Sequence, residues 1–292
     1  MIEKLTAEDP HRFKVATVSR LLGVSRSGYY TWAKHHVSAR KARDEEIAAV
    51  IARLRSEKGA FFHTYGSPRM HAELRMGHGY RIGRKRVERI MRERGWAGAV
   101  KRKFRFRTNP ATSEDKVNRN FHVPGPNRLW LGDITEHHTA EGKVYCAVVL
   151  DAYSRLAIGW SIGSRMTADL VVDALQMARW RRFGVRGAIM HSDHGSQYTS
   201  WAFTSRVHEA GLIASMGSVG DCYDNAMMES FWSGMQIELL DSQPWTTRRQ
   251  LGTAMFSWIE AWYNPRRRHS SLGYHSPADY EKIVPTTVTL AA

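Results

Sequence analysis

The sequence predicts an α/β domain built on a mixed sheet, preceded by small all-α helix-turn-helix segments. Three observations carry that expectation. Strand-forming runs interleave with helical periodicities from Leu129 onward, two helical hairpins with glycine turns come before them, and charge is divided unequally between the two parts. The net charge is +15 over 292 residues. Residues 1–122 hold 28 Lys and Arg against 12 Asp and Glu, a net of +16, whereas residues 123–292 hold 15 against 16, a net of −1. Cations gathered in one region fit a polyanionic partner, because neutralising phosphates releases counterions; a solvated basic surface is the plainer alternative.

Other classes are disfavoured by composition. A hydrophobic fraction of 42% argues against general disorder. The longest apolar stretch, around Val144 to Leu150, is far too short to span a bilayer. Met1 is followed by IEKLTAEDP, which lacks the basic start and apolar middle of a signal peptide. Cys146 and Cys222 stand alone, so neither a disulfide framework nor a Cys-x-x-Cys zinc pattern exists, and a reduced cytoplasmic setting is expected.

In VATVSRLLGVSRSGYYTWAKH, Val18, Leu21 and Leu22 form a helical stripe, Gly23 breaks it and Ser25 caps a second helix. DEEIAAVIARLRSE is amphipathic, with Ile47, Val50, Ile51 and Leu54 at helical spacing. After Pro68, RMHAELR leads through Gly77 and Gly79 into GRKRVERIMRERG, a second helix-turn-helix. There Val87, Ile90 and Met91 face inward, Arg84, Lys85, Arg86, Arg89 and Arg92 face out, and Gly95 is the C-cap. KRKFRFRT alternates Lys101, Arg102, Lys103, Arg105 and Arg107 with Phe104 and Phe106, able to pair with phosphates and stack on bases. The run Pro124, Gly125, Pro126, Asn127 closes this linker. Three parts are therefore expected: residues 1–60, 61–122 and 123–284.

From Leu129 the order reads β-β-β-α-β-α-β-α, with strands in LWLGDITEHH, KVYCAVVLDA and RLAIGWSIG, and a helix over 167–182. A strand over 187–191, a helix near 199–210, a strand near 212–216 and a helix over 224–240 follow.

Three carboxylates stand out against this background. Asp133 lies within a strand, Asp193 just past the end of one, and Glu229 on the last of these helices, with 35 residues between the latter two. If they converge, each close pair repels by roughly 4 kcal/mol at an effective dielectric of about 20 unless a cation intervenes. Hard oxygen ligands suit Mg²⁺ or Mn²⁺, which activate a hydroxyl and stabilise charge on a phosphodiester. On the Glu229 helix, Asn225, Trp232, Ser233 and Gln236 share its face. Asn225 and Thr135 are expected to orient the ligands. Asp151 is expected to act as a turn residue. His137, His138 and His191 lack the spacing of a structural zinc site. In YNPRRRHSSLGY, Arg266, Arg267, Arg268 and His269 are expected to grip DNA backbone, a surface turn at Asn264–Pro265 being the alternative.

WLGDIT, VLDAYSR, SDHGSQY, SMGSVGDCYDNAMMESF and YNPRRRHSSLGYHSP together resemble the integrase core of insertion-sequence transposases, within the retroviral integrase and ribonuclease H-like superfamily. YGSPRMHAEL and IGRKRVERIMRERG resemble the helical segment that precedes this core in second-frame products of such elements, so the resemblance runs from about Val15 to Lys282. It implies a ribonuclease H-like fold in which Asp133, Asp193 and Glu229 are the metal-binding catalytic triad of a DNA transposase. It implies strand cleavage and strand transfer by direct transesterification, through circularised element DNA. The implied partners are element ends and target DNA, further copies of the chain, and an upstream-frame product fused to or associated with it. A prokaryotic, nucleoid-associated location follows. Relatives commonly place Lys where this chain has Gln236 and Arg where it has His194, which alters the expected phosphate contacts at the rim. The zinc-binding amino-terminal module of retroviral integrases is absent. A ribonuclease H-like nuclease that never joins strands, and a non-catalytic DNA-binding regulator, remain the alternatives.

Overall fold

The computed structural model describes residues 2, 14–33, 38–99, 123–192, 197–216 and 226–283. The chain forms two compact units, Met1–Ala52 and Arg53–Ala292. In the first, α1 (Val15–Leu21) and α2 (Arg26–Ala33) flank a turn at Gly23, whose φ of +64° is left-handed and suits glycine. Ser25 Oγ accepts from the Gly28 amide at 3.0 Å, the expected cap. The expected stripe is only partly realised. Val18 is buried, but Leu21 is 78% exposed and Leu22 is also exposed. Leu21 ends the helix and Leu22 has left helical geometry (φ −88°, ψ 1°), so the 3.6-residue register stops there. Helix α3 (Ala39–Arg55) begins in this unit and buries Ile47, Ala48, Ile51 and Leu54.

The second unit opens with α4 (Ser67–Ala72), which continues into a π turn at Glu73–Gly77, and α5 (Arg84–Glu93). Val87, Ile90 and Met91 point inward as their spacing requires. The helix ends in a Schellman closure: the Trp96 amide reaches Met91 O at 2.8 Å, the Gly95 amide reaches Arg92 O at 3.1 Å, and Gly95 has φ +67°. Residues 61–99 lie in the same compact unit as the sheet.

The sheet comprises β1 (Leu129–Thr139), β2 (Gly142–Asp151), β3 (Ala157–Gly163), β4 (Ile189–Ser192) and β5 (Ile213–Met216), in the order β3-β2-β1-β4-β5. β2 runs antiparallel to both β1 and β3, whereas β4 and β5 run parallel to β1. This is the ribonuclease H-like arrangement, with helices as crossovers where strands are parallel. One face carries Trp130, Ala147, Val149 and Ile158 against α6 (Ala168–Arg181) and α7 (Trp201–Glu209) through Leu170, Ala174, Leu175, Phe203 and Val207. Gly159 on β3 lies so near α6 that a Cβ there would meet Ala174 O at 2.1 Å, which explains the glycine.

Helix α8 (Ala226–Glu238) meets β1 through the Trp232–Asp133 hydrogen bond. After it come α9 (Arg248–Ser257), with a π turn at Trp258–Tyr263, and α10 (Pro277–Ile283). Phe231, Trp258 and Tyr263 stack edge to face or tilted, and Trp262 meets Phe62 edge to face at 4.8 Å and Tyr65 at 5.6 Å. Aromatic packing thus joins the helical segment before the sheet to the helices after it. Among the described residues, no helix is long and apolar enough to cross a membrane.

Candidate active site

The pleat decides which β1 side chains leave the α6–α7 core. Trp130, Gly132 and Ile134 alternate with Leu131, Asp133 and Thr135, and the antiparallel register sets Asp133 opposite Val148 and Thr135 opposite Cys146. On the Gly132 side, a Cβ added to the glycine would sit 2.5 Å from the terminal methyl of Met190, a flexible tip that would have to move aside. Asp133 is half-buried on the other side. Its Oδ2 accepts from the Trp232 indole Nε1 at 2.9 Å and its Oδ1 from the Ile134 amide at 2.8 Å. Trp232 belongs to α8, and Glu229 stands three residues earlier, in the helix's exposed first turn. The indole therefore ties the β1 carboxylate to the helix that bears Glu229, on the same helix face.

The parallel register adds a second link. Ser192, the last residue of β4, pairs with Gly132, immediately before Asp133. Asp193 follows Ser192 in the chain but lies outside the described residues, as do Asn225, His194, Lys101, Arg102, Lys103, Arg105 and Arg107. Gln236 points its amide at the Asp241 carboxylate.

Arg84 and Lys85 are exposed on α5, Arg86 is half-exposed, and Arg89 forms an ion pair with Glu93 at 2.9 Å. The arginines of YNPRRR differ from expectation. Arg267 is 6% exposed and bonds Glu238 through Nε at 2.8 Å; Arg268 is 8% exposed and bonds Glu73 through Nε at 2.6 Å. Arg266, more open, reaches Glu57 at 2.7 Å and lies over the Phe62 ring. These three cations are consumed within the protein, and the expected DNA grip by Arg267 and Arg268 is corrected accordingly. A buried guanidinium needs a carboxylate, and each has one.

Glu238 also accepts from Trp258 Nε1 at 3.1 Å and Trp262 Nε1 at 3.0 Å. Arg267 is held above its usual pKa: burial opposes this, and Glu238 outweighs it. His269, buried beside Arg267, is pushed well below the usual imidazole range by burial and by that cation, so it is a neutral ring. Sequence reading missed Glu73 and Glu238. Their signal was an acid within an otherwise apolar helical run, as in QIELL.

Asp151 is fully buried and accepts from the Asn127 amide at 2.8 Å and the Tyr153 amide at 2.9 Å, a turn-closing role. Burial pushes its carboxyl up to about 6 against those two bonds. His191 Nδ1 lies 3.1 Å from Ser215 Oγ, and burial pushes the Cys146 thiol up to about 12.

A ribonuclease H-like sheet carries a carboxylate on its first strand, tied to an acid-bearing helix, and the matching family and relatives make the chain a polynucleotidyl transferase of integrase type. The integrase core domain family matches residues 123–222 and again 210–277, and an HTH-like domain matches residues 41–104. The chain is 39% identical over 288 residues to transposase InsF for insertion sequence IS3A of Escherichia coli K12, covering 96% of each. It is 37% identical over 269 residues to an uncharacterised 31 kDa protein of insertion element IS600 from Shigella sonnei, covering 90% of this chain and 97% of that one. Among solved structures, it is similar to the HTLV-2 integrase catalytic core in complex with magnesium, at 17% identity and a TM-score of 0.38, covering 53% of this chain and 95% of that one. The chain belongs to the IS3 family of insertion-sequence transposases.

Proposed function

We propose that this transposase cleaves DNA at the ends of an insertion element and joins the freed ends to new sites, using Asp133, Asp193 and Glu229. The observation that carries the reading is the Trp232–Asp133 hydrogen bond, which joins a strand carboxylate to a side chain one helical turn from Glu229. Ser192 supports it, because β4 ends beside Gly132 and Asp193 is one Cα step, about 3.8 Å, further along the chain.

The donor set fits a hard divalent cation. Carboxylate oxygens are its preferred ligands, and Asp133 receives the Trp232 indole and the Ile134 amide, neutral N–H groups that orient the carboxylate. Mg²⁺ or Mn²⁺, two ions held by Asp133, Asp193 and Glu229, would supply polarisation of the phosphodiester and activation of the attacking hydroxyl. The protein's own contribution is positional. Trp232 locks the Asp133 rotamer, and Thr135, two residues along the strand, and Asn225, ahead of α8, support the ligands. In the first step water attacks a phosphodiester and a 3′-hydroxyl leaves. In the second that hydroxyl attacks another phosphodiester and displaces its 3′-oxygen. Each step makes one P–O bond and breaks one.

DNA grip is assigned to Arg84, Lys85, Arg86 and Arg89 of α5 and to the basic linker at Lys101, Arg102, Lys103, Arg105 and Arg107. Gln236 is a weaker rim contact. Two element ends must be handled together, so the working form is an oligomer, alone or joined to an upstream-frame product.

An end-labelled duplex carrying the element terminus separates the readings. Wild type in Mg²⁺ or Mn²⁺ gives both shortened and longer, joined products. Asp133→Asn and Asp193→Asn keep the gel shift and lose both products. Strand transfer retained in either variant refutes the assignment. Short products alone from wild type indicate a nuclease that does not join, and a shift alone indicates a regulator.

A further inference from the structure

A cleft of about 260 Å³ opens along α8 beside Glu229, between that helix and the segment preceding the sheet. Ser230 and Ser233 line it from α8, Thr64 and Arg69 from the opposite wall. Ser233, four residues after Glu229, shares the flank that bears the acid, while Ser230, the next residue, is turned roughly 100° from it.

The electrostatics of this cleft are one-sided. Arg267, at its base, is neutralised by Glu238, and that carboxylate already accepts from Arg267 and two indoles. Arg69 makes no ion pair or side-chain hydrogen bond with any described residue. Its guanidinium lies over the Tyr65 ring, 5.8 Å from the centroid. Burial and the neighbouring Arg267 hold Arg69 below its ordinary pKa, as expected of a cation lacking a carboxylate of its own. Desolvating a guanidinium without an anion is costly. Its free planar donors match a phosphate, and the Ser230 hydroxyl adds a donor from the other wall.

We propose that Arg69, with Ser230 and Ser233, forms a phosphate-binding subsite for one DNA phosphodiester. The helical segment before the sheet thereby contributes directly to the DNA track at the catalytic helix. The inference rests on the proposed transposase reading and names a positioning residue for it. It also supplies a phosphate contact on a helix where Gln236 stands in place of a cation.

The test measures affinity of the full-length chain for a fluorescein-labelled DNA duplex by anisotropy across a salt series. Each phosphate contact contributes about 0.9 to the slope of log K against log salt. Arg69→Gln is expected to weaken binding about 10-fold and flatten the slope by about one contact, while Arg69→Lys restores most of the slope. Should Arg69→Gln lose its fold, Ser230→Asp on the exposed wall of the cleft gives the same readout by repulsion. Unchanged affinity and slope in Arg69→Gln, or in Ser230→Asp where the first is unfolded, overturns the subsite. Asp133→Asn is measured in parallel. If it retains cleavage, the catalytic reading fails while the salt slope still decides the subsite; if it loses cleavage but keeps the full slope, the two are separated.

Discussion

Glu238→Ala tests how the catalytic helix is anchored. Glu238 is 2% exposed and sits nine residues after Glu229 on α8. Its carboxylate accepts four bonds: Arg267 Nε to both oxygens at 2.8 and 3.1 Å, Trp258 Nε1 at 3.1 Å and Trp262 Nε1 at 3.0 Å. Truncation leaves a buried guanidinium without its anion, which costs about 3–5 kcal/mol. Two indole N–H groups also lose their acceptor, at about 1 kcal/mol or more each where water cannot reach. A total of about 5–7 kcal/mol is comparable to the whole stability of many domains, about 5–15 kcal/mol. The double variant Glu238→Ala with Arg267→Met removes the orphaned charge, so it should recover about 2–3 kcal/mol relative to Glu238→Ala. Urea unfolding followed by tryptophan emission reads both, since Trp258 and Trp262 lose their bonds directly. A Glu238→Ala cost under about 1 kcal/mol, or additive single-variant costs, would show that the ion pair does not anchor the helix.

Three further outcomes are expected. Trp232→Phe deletes the indole donor to Asp133 while keeping most of the ring, so cleavage rate should fall about 10- to 100-fold, the worth of a bond to a charged group, with thermal stability changed by no more than about 1 kcal/mol; a steady-state cleavage assay with a melting curve checks both. Asp151 carries a folded pKa of about 6 against an ordinary 3.8, so its contribution to stability is present below about pH 4 and lost as pH rises through 6, on the order of 3 kcal/mol across that window. The stability difference between wild type and Asp151→Asn, measured by urea unfolding at pH 4 and pH 7, should change by up to that amount, and a pH-independent difference refutes the raised pKa. Gly159→Ala forces a Cβ into the α6 backbone, and differential scanning should show destabilisation of about 3 kcal/mol or failure to fold.

The sheet was legible because its strands carry period-two burial and its helices period-3.6 burial, so Trp130, Ala147 and Val149 announce one face and Leu170, Ala174 and Ala178 the helix that covers it. Asp133 stood out as a charge inside a strand-forming run, and it lies on β1. Arg267 and Arg268 were misread for the opposite reason. Their carboxylate partners lie 29 and 195 residues away in sequence, and no local pattern announces a contact of that range. Leu21 and Leu22 failed differently, since a stripe at the end of a helix loses its register where the backbone turns.

Sequence alone determined the element order and the asymmetry of charge, because these depend on composition and short-range periodicity, and the family, because its motifs are contiguous runs of residues. Only the tertiary structure decided which cations are consumed internally and which line an open cleft, and that Trp232 reaches across to Asp133. The physical reason is that burial and pairing depend on elements distant in the chain meeting in space, where one partner's charge fixes whether the other can leave water.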